Sequence, residues 1–204
     1  MRTKPLPKRS PSGALIVLGL LSQAPQHGYG LYQRICIELE GLWHIEMNRL
    51  YALLEELSQA GLIQGRDEQE AGHPVRRVFQ PTAKGRRHFE AWLRAPSSTM
   101  QEMRVDFPVK LFFAMARGLE ATHKLLVAQR EACRAQMDRL SDQRRALASR
   151  SACHSLVYDF RARQIQAAIK WLEACQRQHQ RIPARPLPRR PKNKIVQIEE
   201  LKSR

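Results

Sequence analysis

The tightest constraint on this chain is the order in which hydrophobic periods follow one another along its first half. Leu50, Leu53, Leu54 and Leu57 recur at i, i+3, i+4 and i+7, the spacing that gathers apolar side chains on one face of a helix. This predicts a helix over 47–60, stopped by Gly61. Two strand-like runs follow, 62–66 and 75–79, and Gly72 and Pro74 lie between them as turn formers. Upstream, the apolar run over 14–21 predicts a helix from Ser12, a capping residue, to Ser22, broken by Gln23-Ala24-Pro25-Gln26. Leu31, Ile35 and Leu39 stand four apart and predict a second helix over 28–40, ended by Gly41. Thr82 offers an N-cap for a fourth helix that reaches Arg94. Three helices, a hairpin and a closing helix are the order of a winged helix-turn-helix.

Pro96 and the polar run Ser97-Ser98-Thr99 mark the expected domain boundary, and every signal beyond it is helical. A segment over 103–117 is expected despite Pro108. A long one over 119–150 carries Leu119, Leu126, Cys133, Leu140 and Leu147 at intervals of seven, with His123, Arg130, Met137 and Arg144 in the alternate position. A strict seven-residue repeat implies coiled-coil-like packing, and the polar second set argues against a long dry zipper. A last helix over 155–178 has Ile165, Ile169 and Leu172 on one face. The expected fold is mainly α: a basic flexible arm (1–11), a winged helix-turn-helix (12–96), an all-α dimerisation and effector domain (97–180) and a disordered basic, Pro-rich tail (181–204). The dimerisation stripe is read as Leu119, Leu126, Cys133, Leu140, Leu147, Ile165, Ile169 and Leu172, because one helix cannot bury such a stripe alone.

Charge narrows the partners. Thirty-five Lys and Arg face 19 Asp and Glu, a formal net charge of +16, which favours a polyanion and first of all nucleic acid. The run over 14–21 is too short to span a bilayer, so no membrane partner is expected. Cys36, Cys133, Cys153 and Cys175 are widely spaced, without a CxxC or a zinc knuckle, as suits a reducing cytoplasm. No metal site and no cofactor are expected. A thiol- or metal-sensing use of Cys133, Cys153 and Cys175 stays open beside the plainer reading of cysteine as a small buried hydrophobe. No GxSxG, P-loop, GxGxxG or HExxH pattern is present, so an enzyme is not expected.

If the leucines of the third helix face inward, Asn48, Ala52, Glu55 and Gln59 face outward, flanked by Arg49 and Tyr51. Asn suits adenine and Arg suits guanine, each through two hydrogen bonds, and both stand at the amino end that enters a major groove. An ordinary amphipathic helix with a solvated face would look the same. Arg76 and Arg77 fall on opposite faces of the hairpin, where one can meet a phosphate and the other brace the wing. Lys84, Arg86 and Arg87 sit early in the next helix, where cations oppose the helix dipole and a phosphate partner would relieve them. The competing classes are a winged-helix interaction subunit that never touches DNA, which the net charge disfavours, and an enzyme.

Leu18-Gly19-Leu20-Leu21, His27-Gly28-Tyr29-Gly30-Leu31, Leu50-Tyr51-Ala52-Leu53-Leu54-Glu55-Glu56-Leu57 and Arg76-Arg77-Val78-Phe79-Gln80-Pro81-Thr82-Ala83-Lys84-Gly85 together resemble the N-terminal half of PadR-family regulators. Val109-Lys110-Leu111-Phe112-Phe113 and Lys170-Trp171-Leu172-Glu173 resemble the helical half of that family, sometimes called virulence-activator-like. The resemblance implies a homodimeric transcription factor, usually a repressor of a double-stranded DNA operator, often released by a small molecule. It implies Tyr29, Arg49, Tyr51, Arg76 and Arg77 as DNA-contact positions. Glu46-Met47-Asn48 departs from the usual Ser cap and small residues, His73-Pro74-Val75 from the usual wing tip, and Phe79 replaces a common Tyr. Trp92, Phe107, Phe112 and Phe113 surround the domain boundary. They are expected either to wall a pocket for a small aromatic or hydrophobic effector or simply to pack as core.

Overall fold

A helix that is apolar all round must be buried all round, and the first helix obeys. The computed structural model describes residues 11–69, 75–146 and 152–179. In it, α1 (Pro11–Gln23) lies at the centre of the N-terminal half, with Ile16, Val17, Leu18 and Leu20 fully buried. Around it pack α2 (Gly28–Glu38), α3 (Met47–Gln59), α4 (Ala83–Arg94) and a three-stranded antiparallel sheet. Gly19 has no side chain for a packing reason. A Cβ there would stand 2.5 Å from the rings of both Phe89 and Phe113. Arg34 ties α2 to the end of α1, donating to the Leu20 carbonyl at 3.0 Å, which also accepts from the Ala24 amide at 3.3 Å.

The sheet runs β1 (Gln26–His27), β3 (Arg76–Pro81), β2 (Ile63–Glu68) in spatial order. Two residues carry no readable alternation, so β1 has no sequence signature; it exists because Gln26 and His27 lie opposite Phe79 and Val78. The hairpin extends past the apolar runs because charge continues the pairing. Asp67 faces Arg77 and Glu68 faces Arg76, opposite-charge pairs that favour this register. The wing tip, with His73 and Pro74, lies outside the described residues. Thr82 caps α4 as expected, its Oγ accepting from the Gly85 amide at 3.1 Å and donating to the Gly61 carbonyl at 2.8 Å.

Helix α2 stops at Glu38 rather than running to 40, and Leu39 closes it by bonding back to the Ile35 carbonyl. Helix α5 (Met100–Ala116) starts earlier than expected because Thr99 caps it, accepting from the Glu102 amide at 3.1 Å. Pro108 is accommodated inside it. Two buried side chains hold the chain between α4 and α5. The Gln129 amide accepts from Ser97 N–H at 2.7 Å and donates to Ser97 C=O at 3.1 Å. The Lys110 ammonium donates to the Ala95 carbonyl at 2.7 Å, above the Trp92 ring.

Helices α6 (Leu119–Ala146) and α7 (Ala152–His179) pack against each other over much of their lengths. The seven-residue stripe is consumed here, within one chain. Leu126, Cys133 and Leu140 are buried with Ile165, Ala168 and Leu172, and Met103 and Phe107 of α5 close the cluster. Ile169 packs against it, Leu119 is left 46% exposed, and Leu147 lies outside the described residues. The middle of the stripe, Leu126 to Leu140, is thus covered within one chain. The basic arm short of residue 11 and the tail from residue 180 also lie outside the described residues.

Candidate nucleic-acid interface

Helix α3 separates its faces cleanly. Leu50, Leu53, Leu54 and Leu57 are buried, and Asn48, Arg49, Tyr51, Ala52, Glu55 and Gln59 are exposed. Glu46 occupies the N-cap without a side-chain cap bond, in keeping with the missing Ser. The exposed row therefore begins with Asn48 and Arg49 at an uncapped helix start. The Arg49 guanidinium reaches two turns along the helix to Glu56, 2.6 Å from its Oε1. Gln59 donates to Glu55 at 3.0 Å.

Helix α2 brings a second group to the same region. Tyr29 is 45% exposed. Gly28 lets the Tyr51 ring settle on the start of α2, since a Cβ would come within 2.6 Å of that ring. His27 caps α2, its Nδ1 accepting from the Gly30 amide at 3.0 Å. Nδ1 must be unprotonated to accept. Burial, and then the nearby Arg76 charge, push the His27 pKa below its ordinary value.

The two wing arginines differ. Both are exposed, and Arg76 is close enough to His27 to act on it electrostatically. Arg77 lies with its guanidinium 5.7 Å from the Phe79 ring centroid and beside Gly65, where a Cβ would meet its Nε at 2.4 Å. Arg77 braces the hairpin. The Lys84 ammonium donates to the Ala60 carbonyl at 3.0 Å, at the end of α3. Arg86 likewise bonds the Pro81 carbonyl at 2.8 Å. Carbonyls at element ends attract these cations, while Lys84 stays half-buried and Arg86 exposed.

The four aromatic rings do not share a pocket. Phe113 packs on Phe89 and Trp92, with Phe112 beside it, in the N-terminal core. Phe107 is fully buried in the other cluster and meets Trp171 edge-on at 5.9 Å. A half-open cleft of about 540 Å³ lies elsewhere, where α4, α5 and α6 meet. Leu93, Ala114, Ala121, Leu125 and Ala128 form its apolar lining, and Arg94, Arg117, Lys124 and Glu120 its polar part. Arg117 is bound to Glu90, and Lys124 to Glu120 at 2.6 Å. Alanines and paired charges give no pattern in a sequence, so neither this cavity nor the roles of His27 and Glu56 could be anticipated.

Among the described residues no three His, Cys, Asp or Glu side chains gather to hold a metal. Burial pushes the Cys133 and Cys175 thiols up, away from the thiolate that sensing chemistry uses. No described helix is long and apolar enough to cross a membrane.

A small central helix bundle, an outward α3 and an antiparallel wing define a winged-helix DNA-binding transcriptional regulator joined to a helical hairpin. Residues 17–91 match the transcriptional regulator PadR-like family and residues 103–180 the virulence activator alpha C-term. The chain belongs to the PadR-like family, a family of regulators rather than enzymes. Among solved structures it is similar to Bacillus subtilis PadR in complex with operator DNA, at 19% identity, over 82% of this chain and 99% of that one, with a TM-score of 0.43. It is similar to B. subtilis PadR in complex with p-coumaric acid at 20% identity, over 82% and 98%, TM-score 0.38. For the Vibrio cholerae virulence activator AphA the figures are 18%, 84%, 100% and 0.37. No curated protein matches the chain.

Proposed function

We propose that this DNA-binding regulator is a sequence-specific cytoplasmic repressor that grips its operator as a homodimer and is released by a small molecule. The observation that carries the reading is the α3 face. Every leucine is buried, while Asn48, Arg49 and Tyr51 stand exposed, the Tyr51 ring lying against Gly28, which precedes the exposed Tyr29 in α2. Asn48 and Arg49 read base edges, and Tyr29, Tyr51 and Arg76 meet the backbone. Arg77 acts from behind by stiffening the wing.

The second chain is placed on α7. Val157, Phe160, Gln164, Ala167 and Trp171 alternate by three and four residues, and all are exposed. That spacing is a coiled-coil seam, turned to solvent rather than to α6. The domain division at Pro96 belongs to the same reading, with the winged helix reading DNA and the helical half pairing copies. The effector is assigned to the cavity between α4, α5 and α6, whose volume falls within the range of ligand pockets, about 300–1,000 Å³. Its lining is as polar as it is apolar and its cations Arg94 and Lys124 are paired with Glu90 and Glu120, so it suits a small amphipathic molecule set against the alanines.

Selection of duplexes from a random pool tests the central reading. A two-fold symmetric site with half-sites about one helical turn apart is expected. A pool that stays unenriched would leave a winged-helix interaction subunit as the better account.

A further inference from the structure

The DNA-facing side of α3 carries two carboxylates, Glu55 and Glu56. Carboxylates repel phosphates, so a helix that enters a groove holds them at a cost. Glu55 is taken up by Gln59 one turn on. Glu56 is different, because its partner is Arg49, the cation assigned to base reading. We propose that Glu56 is a specificity-determining residue that positions the Arg49 guanidinium for one base pair, an inference that rests on the reading of α3 as the recognition helix.

The geometry is specific. Seven residues are almost two full turns, so Arg49 and Glu56 lie in one row, about 10.5 Å apart along the axis. Helical side chains lean toward the amino end, which turns Glu56 back toward Arg49. The bridge closes only if Arg49 lies extended along the helix, and the small Ala52 between them leaves the path open. The contact uses Nη1 and Glu56 Oε1 at 2.6 Å. The Nε–Nη2 edge of the guanidinium is left over, and this fork fits O6 and N7 of guanine. A surface ion pair contributes little to stability, and these side chains are 50% and 39% exposed. Glu56 Oε2 is shielded from solvent and meets no donor among the described residues. The pair is thus a poor stabiliser and a good positioning device. Without Glu56, Arg49 is free to swing to the nearest phosphate, which carries no sequence information.

The test is duplex selection from a random pool with the full chain, comparing wild type, Arg49→Ala, Glu56→Gln, Glu55→Gln and the Arg49→Ala/Glu56→Gln pair. Glu55→Gln removes the same charge from the same helix without touching Arg49. Arg49→Ala is expected to lose preference at one base pair per half-site. Glu56→Gln should blunt preference at that same pair by about 5-fold or more while binding random duplex more tightly, and the double variant should match Arg49→Ala. Glu55→Gln should tighten all duplexes alike with preferences intact. If Glu56→Gln behaves as Glu55→Gln does, the positioning role is overturned while α3 remains the reading helix. If Arg49→Ala keeps every preference, Arg49 reads no base and this inference falls, whereas α3 falls as the reading helix only if Asn48→Ala keeps every preference as well.

Discussion

His27 does two things at once, and they conflict with acid. Its neutral Nδ1 holds the first turn of α2, and Arg76 sits nearby. Protonation would place a donor against the Gly30 amide and a positive charge at a helix N-terminus, where the dipole opposes it. Because the folded pKa is depressed, the unfolded chain takes up this proton first. Stability is therefore complete above the unfolded value of about 6.5 and falls as pH drops below it toward the folded pKa. Thermal midpoints from pH 8 to pH 5.5 should decline for the wild type by more than for His27→Asn, whose amide oxygen can cap at any pH. Equal declines would rule the cap out as a cause. At the same scale, Asn48→Ala or Arg49→Ala should weaken operator binding by roughly 5- to 150-fold per half-site. Asn48→Ala should leave random-duplex binding nearly unchanged. An unchanged operator-to-random ratio in both variants would remove α3 from base reading.

The α6–α7 hairpin has two different apolar faces, and substitutions should tell them apart. Leu126 and Leu140 are sealed between helices of one chain. Leu126→Ala should cost about 2–5 kcal/mol of stability, read as a drop in the denaturation midpoint, with the surviving folded protein still dimeric. Phe160 is 61% exposed on the outer face of α7. Phe160→Glu should leave helix content intact and halve the mass seen by light scattering, because its charge would have to be buried at the proposed seam. A dimer that survives Phe160→Glu and Val157→Glu together would move the seam off this face.

Across the whole molecule, the two halves are not simply tethered. Phe113 and Val109 of α5 complete the N-terminal core, while Met103 and Phe107 of the same helix enter the other. Gln129 and Lys110 then clamp the segment between α4 and α5. Gln129→Leu would strand the Ser97 N–H and C=O in the interior, at about 1–3 kcal/mol for each unsatisfied group. Its midpoint should fall, and operator affinity should fall further than random-duplex affinity, since loose halves cannot hold two half-sites in phase. A uniform loss on all duplexes would reduce the clamp to a stability element. Cations that neutralise phosphates make duplex affinities salt-dependent, so each comparison belongs at one ionic strength.

The order of elements was legible from Leu50 to Leu57, from the two short β runs and from Thr82, because local periods and caps are properties of neighbouring residues. The inward leucines of α3, and hence the outward Asn48 and Arg49, followed from the same spacing. Charge and the absence of catalytic patterns pointed to nucleic acid without any coordinates. What touches what was decided only by tertiary packing. A seven-residue stripe states that a helix needs a partner, not whether that partner is α7 of the same chain or another copy. Four clustered aromatics state that something apolar is near, not that Phe113 and Phe107 fill two separate cores. Lys84 and Arg86 show their charge in the sequence, not that the Ala60 and Pro81 carbonyls stand within bonding reach of them. The strand at Gln26–His27, the cavity at Ala114, Ala121 and Ala128, and the clamp on Ser97 depend on residues far apart in the chain. Sequence periodicity registers only short-range repetition, so contacts of this kind leave no mark in it.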